Sequence, residues 1–199
     1  MFERDARTGR ELGRRTFIAT SGAAAVGLAL WCYQRSDAAR VEAATDKPPH
    51  EVKIVEFTDS GERKGVVTEL QVRKTDAEWK AQLPADSFDV TRHADTERPF
   101  TGALLNEHDK GVFRCICCDT ALFNLDTKFD SGTGWPSFWE PIAKENVVEE
   151  SDVSLGMMRT EVKCRLCDAH LGHVFNDGPA PTGLRYCMNS VAMRFAKAI

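Results

Sequence analysis

Near its C-terminus the sequence reads Gly183-Leu184-Arg185-Tyr186-Cys187-Met188-Asn189-Ser190. Read at a period of two residues, this stretch predicts a β-strand. Because successive side chains of a strand point to opposite faces, Arg185, Cys187 and Asn189 share one face, with about 7 Å between neighbours. A cation beside a thiol favours the thiolate, which is the nucleophilic form. Cys187 is therefore a candidate nucleophile, and the alternative is a buried structural cysteine.

From Glu97 to the C-terminal region, short apolar pieces alternate with turns rich in Gly, Pro and Asp. Strands at regular spacing with such turns predict an antiparallel β domain. The pieces are Gly111 to Cys115, Ala121 to Phe123, Trp135 to Phe138, Met157 to Val162, Leu184 to Cys187 and Ser190 to Phe195.

The part of the chain before Glu97 predicts packing elements and no catalytic group. Alternation predicts strands at Glu51 to Phe57 and at Val66 to Val72. Thr75 precedes a short helix that Pro84 stops, and Asp86 is expected to cap a second helical turn.

Length and charge exclude some classes of protein. The chain has 199 residues, with 30 acidic against 26 basic side chains and a net charge of -4. This length suits one domain of ordinary size. An acidic balance argues against nucleic acid as the main partner, because phosphate binding needs an excess of Lys and Arg.

The N-terminus has the pattern of an export signal. Arg14 and Arg15 precede a weakly apolar run from Phe17 to Trp31, which is too short for a spanning helix but fits a signal peptide of the twin-arginine type. The alternative is a frayed N-terminal helix.

We predict an export signal and linker at residues 1–45, an extension at 46–73 and the main domain at 74–199. The expected location is the bacterial periplasm or cell envelope, with membrane contact only through an uncleaved signal.

Four of the seven cysteines form two C-x-x-C pairs. Two such turns complete a tetrahedral four-cysteine zinc site, and a closed shell of four thiolates predicts a structural role. A lone C-x-x-C would instead suggest a redox dithiol. The predicted ligands are Cys115, Cys118, Cys164 and Cys167. Cys117 lies between ligands and is either inert or a spare thiol. Because zinc ribbons also bind other macromolecules, an interaction module is a rival function.

Two further stretches are candidates for a pocket. Asp130 to Phe138 is a Gly-rich turn that presents Trp135, and His170 and His173 lie three residues apart beside a glycine. A single histidine would more simply be structural. A cysteine with a nearby histidine is a recognised catalytic pairing. The residues alone allow two reaction classes: thiol attack on a carbonyl, as in an acyl transferase or protease, and redox chemistry at sulfur.

Taken together, these motifs resemble the B-type methionine sulfoxide reductases, which act on the R epimer of the sulfoxide. The resemblance runs from about Lys74 to Phe195. It rests on Arg98-Pro99-Phe100-Thr101-Gly102, the paired C-x-x-C motifs, Ser131-Gly132-x-Gly134-Trp135-Pro136-Ser137-Phe138, His170-Leu171-Gly172-His173-Val174-Phe175 and Arg185-Tyr186-Cys187-x-Asn189-Ser190.

The resemblance implies a mainly β fold of two antiparallel sheets with short N-terminal helices, and one structural zinc ion away from the active site. It implies that Cys187 attacks the sulfoxide sulfur of free or peptide-bound methionine sulfoxide and becomes a sulfenic acid. His170, His173, Arg185 and Asn189 would arrange water and protonate the leaving oxygen. Trp135 and Phe175 would line the pocket. The expected protein is a monomeric oxidoreductase of protein repair that uses a thioredoxin-like reductant.

One position departs from that family. Many members carry a recycling cysteine where this sequence has Thr133, and a hydroxyl cannot form the disulfide that resolves a sulfenic acid. Either the external dithiol attacks the sulfenic acid directly or another thiol, such as Cys117, takes part. Direct reduction is the prediction.

Overall fold

The computed structural model describes residues 48–152 and 159–199, and the predicted export signal at residues 1–45 lies outside them. Residues Pro48–Ile199 form one compact unit. Within the described ranges, eleven strands make three antiparallel sheets. The strands are β1 Glu51–Phe57, β2 Arg63–Leu70, β3 Gly111–Cys115, β4 Ala121–Asn124, β5 Lys128–Phe129, β6 Ser137–Phe138, β7 Val147–Asp152, β8 Arg159–Cys164, β9 His170–Phe175, β10 Arg185–Met188 and β11 Met193–Lys197.

The two larger sheets form the body of the protein. One has the strand order β5-β6-β10-β9-β8-β7 and the other β11-β3-β4. They meet through aromatic rings: Phe123 of β4 stacks on Phe138 of β6 at 4.4 Å between centroids, and Phe113 of β3 meets the same ring edge-on at 4.9 Å. All three rings are fully buried, so their packing is a main source of hydrophobic stabilisation. The predicted mainly β fold of two antiparallel sheets is confirmed for this body.

The third sheet is the hairpin of β1 and β2, which Asn146 joins to the body. Asn146 is fully buried, accepts a hydrogen bond from Val55 N–H at 2.7 Å, and donates to the carbonyls of Val55 and Ala121. An amide that satisfies three buried backbone groups stabilises the contact, because each of those groups would otherwise be left without a partner. The hairpin thus packs on the body, as the sequence predicted. The boundary placed between residues 73 and 74 stays a prediction.

Two short helices connect the hairpin to the body. The first, α1 at Asp76–Gln82, begins with a capping box between Thr75 and Glu78, as the Thr75-Asp76 pair indicated. The second, α2 at Ala85–His93, differs from the prediction: Pro84 is its N-cap and Asp86 lies inside the first turn. Proline fits a helix start because its fixed φ is already suitable. No helix in the described ranges is long and apolar enough to cross a membrane.

Candidate active site

Cys187 lies on β10, a central strand of the six-stranded sheet. It is directly opposite His173 of β9 on one side and Ser137 of β6 on the other. Directly paired residues of an antiparallel sheet project from the same face, so the sulfur is flanked by an imidazole and a hydroxyl. The sulfur is partly exposed. The predicted strand is therefore present. Its register with β6 and β9 adds Ser137 and His173 as neighbours of the sulfur, which the alternation within β10 could not identify.

Arg185 is on the same face of β10, two residues before the thiol. Its guanidinium makes a bidentate ion pair with Asp177, with Nε donating to Oδ1 at 2.9 Å and Nη2 to Oδ2 at 2.8 Å. Its Cζ also lies 4.5 Å from the ring centroid of Phe175, which is opposite Arg185 in β9. The cation is thus fixed in place and already partly neutralised before it acts on the thiol.

The pKa of Cys187 shifts in the direction opposite to the one that a neighbouring cation alone would produce. Burial raises the pKa of the Cys187 thiol above its ordinary value, although Thr133, Arg185 and Ser137 each act to lower it. Desolvation outweighs these groups because a thiolate loses more hydration than a thiol on burial. The neighbours on the strand and loop therefore do not by themselves lower the pKa of this thiol below its ordinary value.

The two histidines share one face because β9 contains a bulge. Lys163 of β8 is opposite His170, and the adjacent Val162 is opposite Gly172, so Leu171 is the extra residue. In a regular strand, residues three apart would point to opposite faces, and the bulge removes that difference. The ring centroids of His170 and His173 are accordingly 5.3 Å apart.

His170 is held by a carboxylate. Its Nδ1 lies 2.7 Å from Oε1 of Glu161, and this hydrogen bond is the main cause of a lowered pKa for Glu161. An Nδ1–H that donates to the carboxylate fixes the tautomer and leaves Nε2 to bind a proton or an acceptor. Nε2 is buried without a hydrogen-bond partner in the described ranges. His170 can therefore hold and deliver a proton.

The loop that carries Trp135 borders the sulfur. Thr133 Oγ1 lies 3.9 Å from Cys187 Sγ, and Pro136 O accepts a backbone hydrogen bond from Met188 N–H. Phe175 lies on the other side, with its ring centroid 6.5 Å from that of His173. The loop therefore reaches the thiol through the hydroxyl of Thr133, the position at which many family members carry a recycling cysteine, and the Phe175 ring lies beside His173 and Arg185.

Asn189 lies beyond the end of β10 and contacts backbone groups. Its Oδ1 accepts from Glu97 N–H at 3.0 Å, and its Nδ2 donates to Leu171 O at 3.1 Å. The side chain is buried. These contacts make Asn189 a positioning residue, and its direct action on water stays a prediction.

The four predicted ligand cysteines meet at one point. Cys115 is the last residue of β3, and Cys118 lies in the turn that leads to β4. In the same way, Cys164 is the last residue of β8, and Cys167 lies in the turn that leads to β9. Their sulfurs all lie within 4.8 Å of one another, with Sγ–Sγ distances of 3.6 Å for Cys115–Cys167 and 3.5 Å for Cys118–Cys164. A tetrahedral ion with bonds of about 2.3 Å separates its sulfurs by about 3.8 Å. The residues therefore fit one metal ion.

Two carboxylates of the site were missed in the sequence. Asp177 follows β9 by two residues and holds Arg185, and Glu161 lies on β8 and holds His170. Alternation could have placed Glu161 on a strand face, but only the register between strands shows which cation or imidazole each carboxylate meets.

One face of the sheet thus carries a cysteine with an arginine and two histidines beside it, and a separate cluster of four cysteines could hold a metal ion. The SelR domain family matches residues 83–197. A protein of Herminiimonas arsenicoxydans named peptide methionine sulfoxide reductase MsrB is 58% identical over 125 residues, which cover 63% of this chain and 91% of that protein. Proteins of the same name from Hahella chejuensis and Agrobacterium fabrum are 54% and 51% identical, covering 64% and 65% of this chain and 92% and 96% of theirs.

The chain thus belongs to the family of B-type methionine sulfoxide reductases. This result confirms the resemblance that the motifs indicated.

Replacing Asp177 by Asn should lower the pKa of Cys187, because the charge of Arg185 would no longer be offset. The alkylation rate of Cys187 at pH 7 should rise roughly threefold to tenfold, and its pH midpoint should move down. Iodoacetamide labelling followed by mass spectrometry of the Cys187 peptide measures both quantities. Asp109→Asn is the control, since its carboxylate is about as exposed as that of Asp177 and also makes an ion pair, with Lys197. An unchanged or higher midpoint in Asp177→Asn would show that Arg185 does not act on the sulfur.

Proposed function

We propose that this protein reduces the R epimer of methionine sulfoxide, free or peptide-bound, with Cys187 as the nucleophile. The observation that supports this most is the arrangement around one sulfur. Cys187 is paired with His173 across β9 and β10, shares its face with Arg185 and lies 3.9 Å from Thr133 Oγ1. Family membership supports the reaction class, and these side chains supply the groups that it needs.

The reaction begins when the Cys187 sulfur attacks the sulfoxide sulfur. The S–O bond of the substrate breaks and the oxygen becomes bonded to the Cys187 sulfur. Methionine thus leaves reduced by two electrons, and Cys187 becomes a sulfenic acid, oxidised by two electrons. The thiol proton is transferred to the departing oxygen, so no further proton is consumed. His170 and His173 are the acid groups for this transfer, with Arg185 favouring negative charge at the sulfur. Trp135 and Phe175 pack on the substrate, whose soft methylthio group suits aromatic faces.

Regeneration requires an external dithiol of the thioredoxin type. One thiol of the reductant displaces water from the sulfenic acid and forms a mixed disulfide, and its second thiol then releases Cys187. The side chain beside the sulfur is the hydroxyl of Thr133, which cannot form a disulfide. Cys117 is buried and contacts Thr91 on α2, at 3.5 Å between Sγ and Oγ1. These contacts favour direct reduction over a Cys117–Cys187 disulfide.

The metal of the four-cysteine cluster is proposed to be one zinc ion with a structural role. Four thiolates with tetrahedral spacing are the ligand set that zinc prefers, and they leave no open position for a substrate. When bound, the ion would join the turn between β3 and β4 to the turn between β8 and β9. The ion takes no part in the attack on the sulfoxide, the formation of the mixed disulfide or the release of Cys187. These steps use the chain's own residues and the external dithiol.

Trapping after a single turnover tests the nucleophile and its fate. With the R epimer of N-acetylmethionine sulfoxide and no reductant, the wild type should release about one N-acetylmethionine per chain, and dimedone should label Cys187 as a sulfenic acid. Cys187→Ser should release none. Thr133→Cys is the matched variant: it should replace the sulfenic acid with a disulfide to the introduced thiol. A Cys117–Cys187 disulfide in the wild type would contradict direct reduction, and an active Cys187→Ser would refute the nucleophile.

Loss of a ligand should remove the metal and destabilise the fold. Cys164→Ser should reduce zinc from about one ion per chain to far below that and lower the free energy of unfolding by roughly 3 kcal/mol or more. Metal analysis and thermal denaturation measure the two effects. Cys117→Ala is the control, because Cys117 lies beside two ligands in the turn between β3 and β4 but is not itself an assigned ligand, and this variant should retain its zinc. Equal zinc loss in both variants would reject the assigned ligand set.

We also propose that the protein is exported folded, through a twin-arginine route. Arg14 and Arg15 before the weakly apolar run support this, and loading four reduced thiols with zinc before export would protect them from oxidation. Arg14→Lys combined with Arg15→Lys should keep the protein in the cytoplasm, as measured by cell fractionation, whereas Arg4→Lys with Arg7→Lys should not. Continued export of the first double variant would reject the route.

A further inference from the structure

Glu97 directly precedes the family motif Arg98 to Gly102, and the proposed reaction assigns no role to either. It makes four hydrogen bonds to two parts of the site. Its carboxylate accepts from the backbone N–H of Ser190 at 2.7 Å and of Val191 at 3.1 Å. Its own N–H donates to Asn189 Oδ1 at 3.0 Å, and its carbonyl accepts from Trp135 Nε1 at 3.1 Å.

The first part is the chain segment that continues from the Cys187 strand. Asn189, Ser190 and Val191 follow β10 directly, and Ser190–Ala192 form a 3-10 turn whose N-cap residue makes no side-chain hydrogen bond of its own to the turn. The N–H groups at the start of such a turn have no partner within it. The Glu97 carboxylate supplies that partner, and a charged acceptor makes these hydrogen bonds stronger than neutral ones. The end of β10 is thereby fixed.

The second part is the loop of Trp135. Besides the indole hydrogen bond, Phe100 N–H donates to Gly134 O at 2.8 Å, one residue before the tryptophan. Gly134 has a φ of +93°, and a Cβ there would lie 2.8 Å from the Phe100 nitrogen. Only glycine permits this backbone approach without strain. The segment therefore contacts the tryptophan loop through both its backbone and the indole.

The close fit of Gly102 holds the segment against the Cys187 side. A Cβ at Gly102 would lie 2.2 Å from Ser190 Oγ and 2.6 Å from Glu97 Oε1. The backbone at Gly102 thus packs directly against the Glu97 carboxylate, and a larger residue at this position would displace that carboxylate. One short segment is bonded both to the residues just after Cys187 and to the side chain expected to hold the substrate.

We infer that Glu97 is a positioning residue that sets the place of the Trp135 indole relative to the Cys187 sulfur. This inference rests on the proposed function, in which Trp135 binds the substrate and Cys187 attacks it. Glu97 acts through its neighbours, because its carboxylate bonds backbone N–H groups and its carbonyl bonds the indole. Reaction rates depend steeply on such placement, and a shift of about 1 Å can cost about a hundredfold.

Glu97→Gln tests the inference, since glutamine keeps the shape but loses the charge and one of the two acceptors. The Michaelis constant for the R sulfoxide should rise, and kcat/KM should fall about tenfold or more. The pH profile of Cys187 alkylation should stay that of the wild type. Glu145→Gln, an exposed carboxylate changed in the same way, is the control and should leave both quantities unchanged. Wild-type kcat/KM in Glu97→Gln, or an altered alkylation profile, would overturn the inference.

A double-mutant cycle separates positioning from general destabilisation. Trp135→Phe removes the indole N–H but keeps every side-chain bond of Glu97, and it should by itself raise the Michaelis constant. In that background Glu97→Gln should cost little more, whereas independent effects would multiply. Multiplying effects would overturn the inference. If Glu97→Gln does not fold, Trp135→Phe with a wild-type Michaelis constant would overturn it instead.

The proposed function fails separately. A wild type without sulfoxide reduction, or an active Cys187→Ser, would reject the reaction whatever Glu97 does. An active wild type, an inactive Cys187→Ser and a normal Glu97→Gln would reject only the role of Glu97.

Discussion

The pairing of β9 with β10 is the contact on which the site depends. It places His173 opposite Cys187 and Phe175 opposite Arg185, so that one strand carries the thiol and the next carries groups that surround it. The approach is unusually close at Gly172, where a Cβ would lie 2.1 Å from the carbonyl oxygen of Cys187. Any other residue would push the strands apart and move the imidazole away from the sulfur.

Around Cys187, burial and charge act in opposite directions. Burial raises the pKa of the thiol, while two hydroxyls and a guanidinium act to lower it, and burial has the larger effect. Arg185 is weakened in this role because Asp177 already binds it through two hydrogen bonds. Desolvation of the thiol and the ion pair of Arg185 therefore both act against the thiolate form of Cys187.

The sequence was sufficient for features that depend on local pattern. Alternation located β1 at Glu51–Phe57 and β3 at Gly111–Cys115, and the spacing of the C-x-x-C pairs named four cysteines that meet in space. In contrast, β7 was missed altogether, and the predicted second strand ended two residues late, at Val72. Polar residues dominate β7, so its partner β8 decides that it is a strand.

Features that depend on long-range register were not predictable from the sequence. The common face of His170 and His173 requires a bulge at Leu171, and the sign of the Cys187 pKa shift requires the depth of burial. The same limitation explains why Glu161 and Asp177 were overlooked. A pattern assigns a residue to one face of its own strand, whereas the groups that tune a site come from neighbouring strands.

The four-cysteine cluster lies at the start of β9, the strand that pairs with the Cys187 strand. Cys167 lies three residues before His170, which begins β9, and His173 lies about 10 Å further along the same strand. The turn between β8 and β9 is held to the body of the protein by backbone hydrogen bonds, such as the one from Arg165 N–H to Asn146 O. The cysteine cluster thus lies at the beginning of the strand that carries both imidazoles, and the bulge at Leu171 separates it from His173. A displacement at the cluster would therefore reach the imidazoles through the backbone of β9, with no side-chain contact between the two sites.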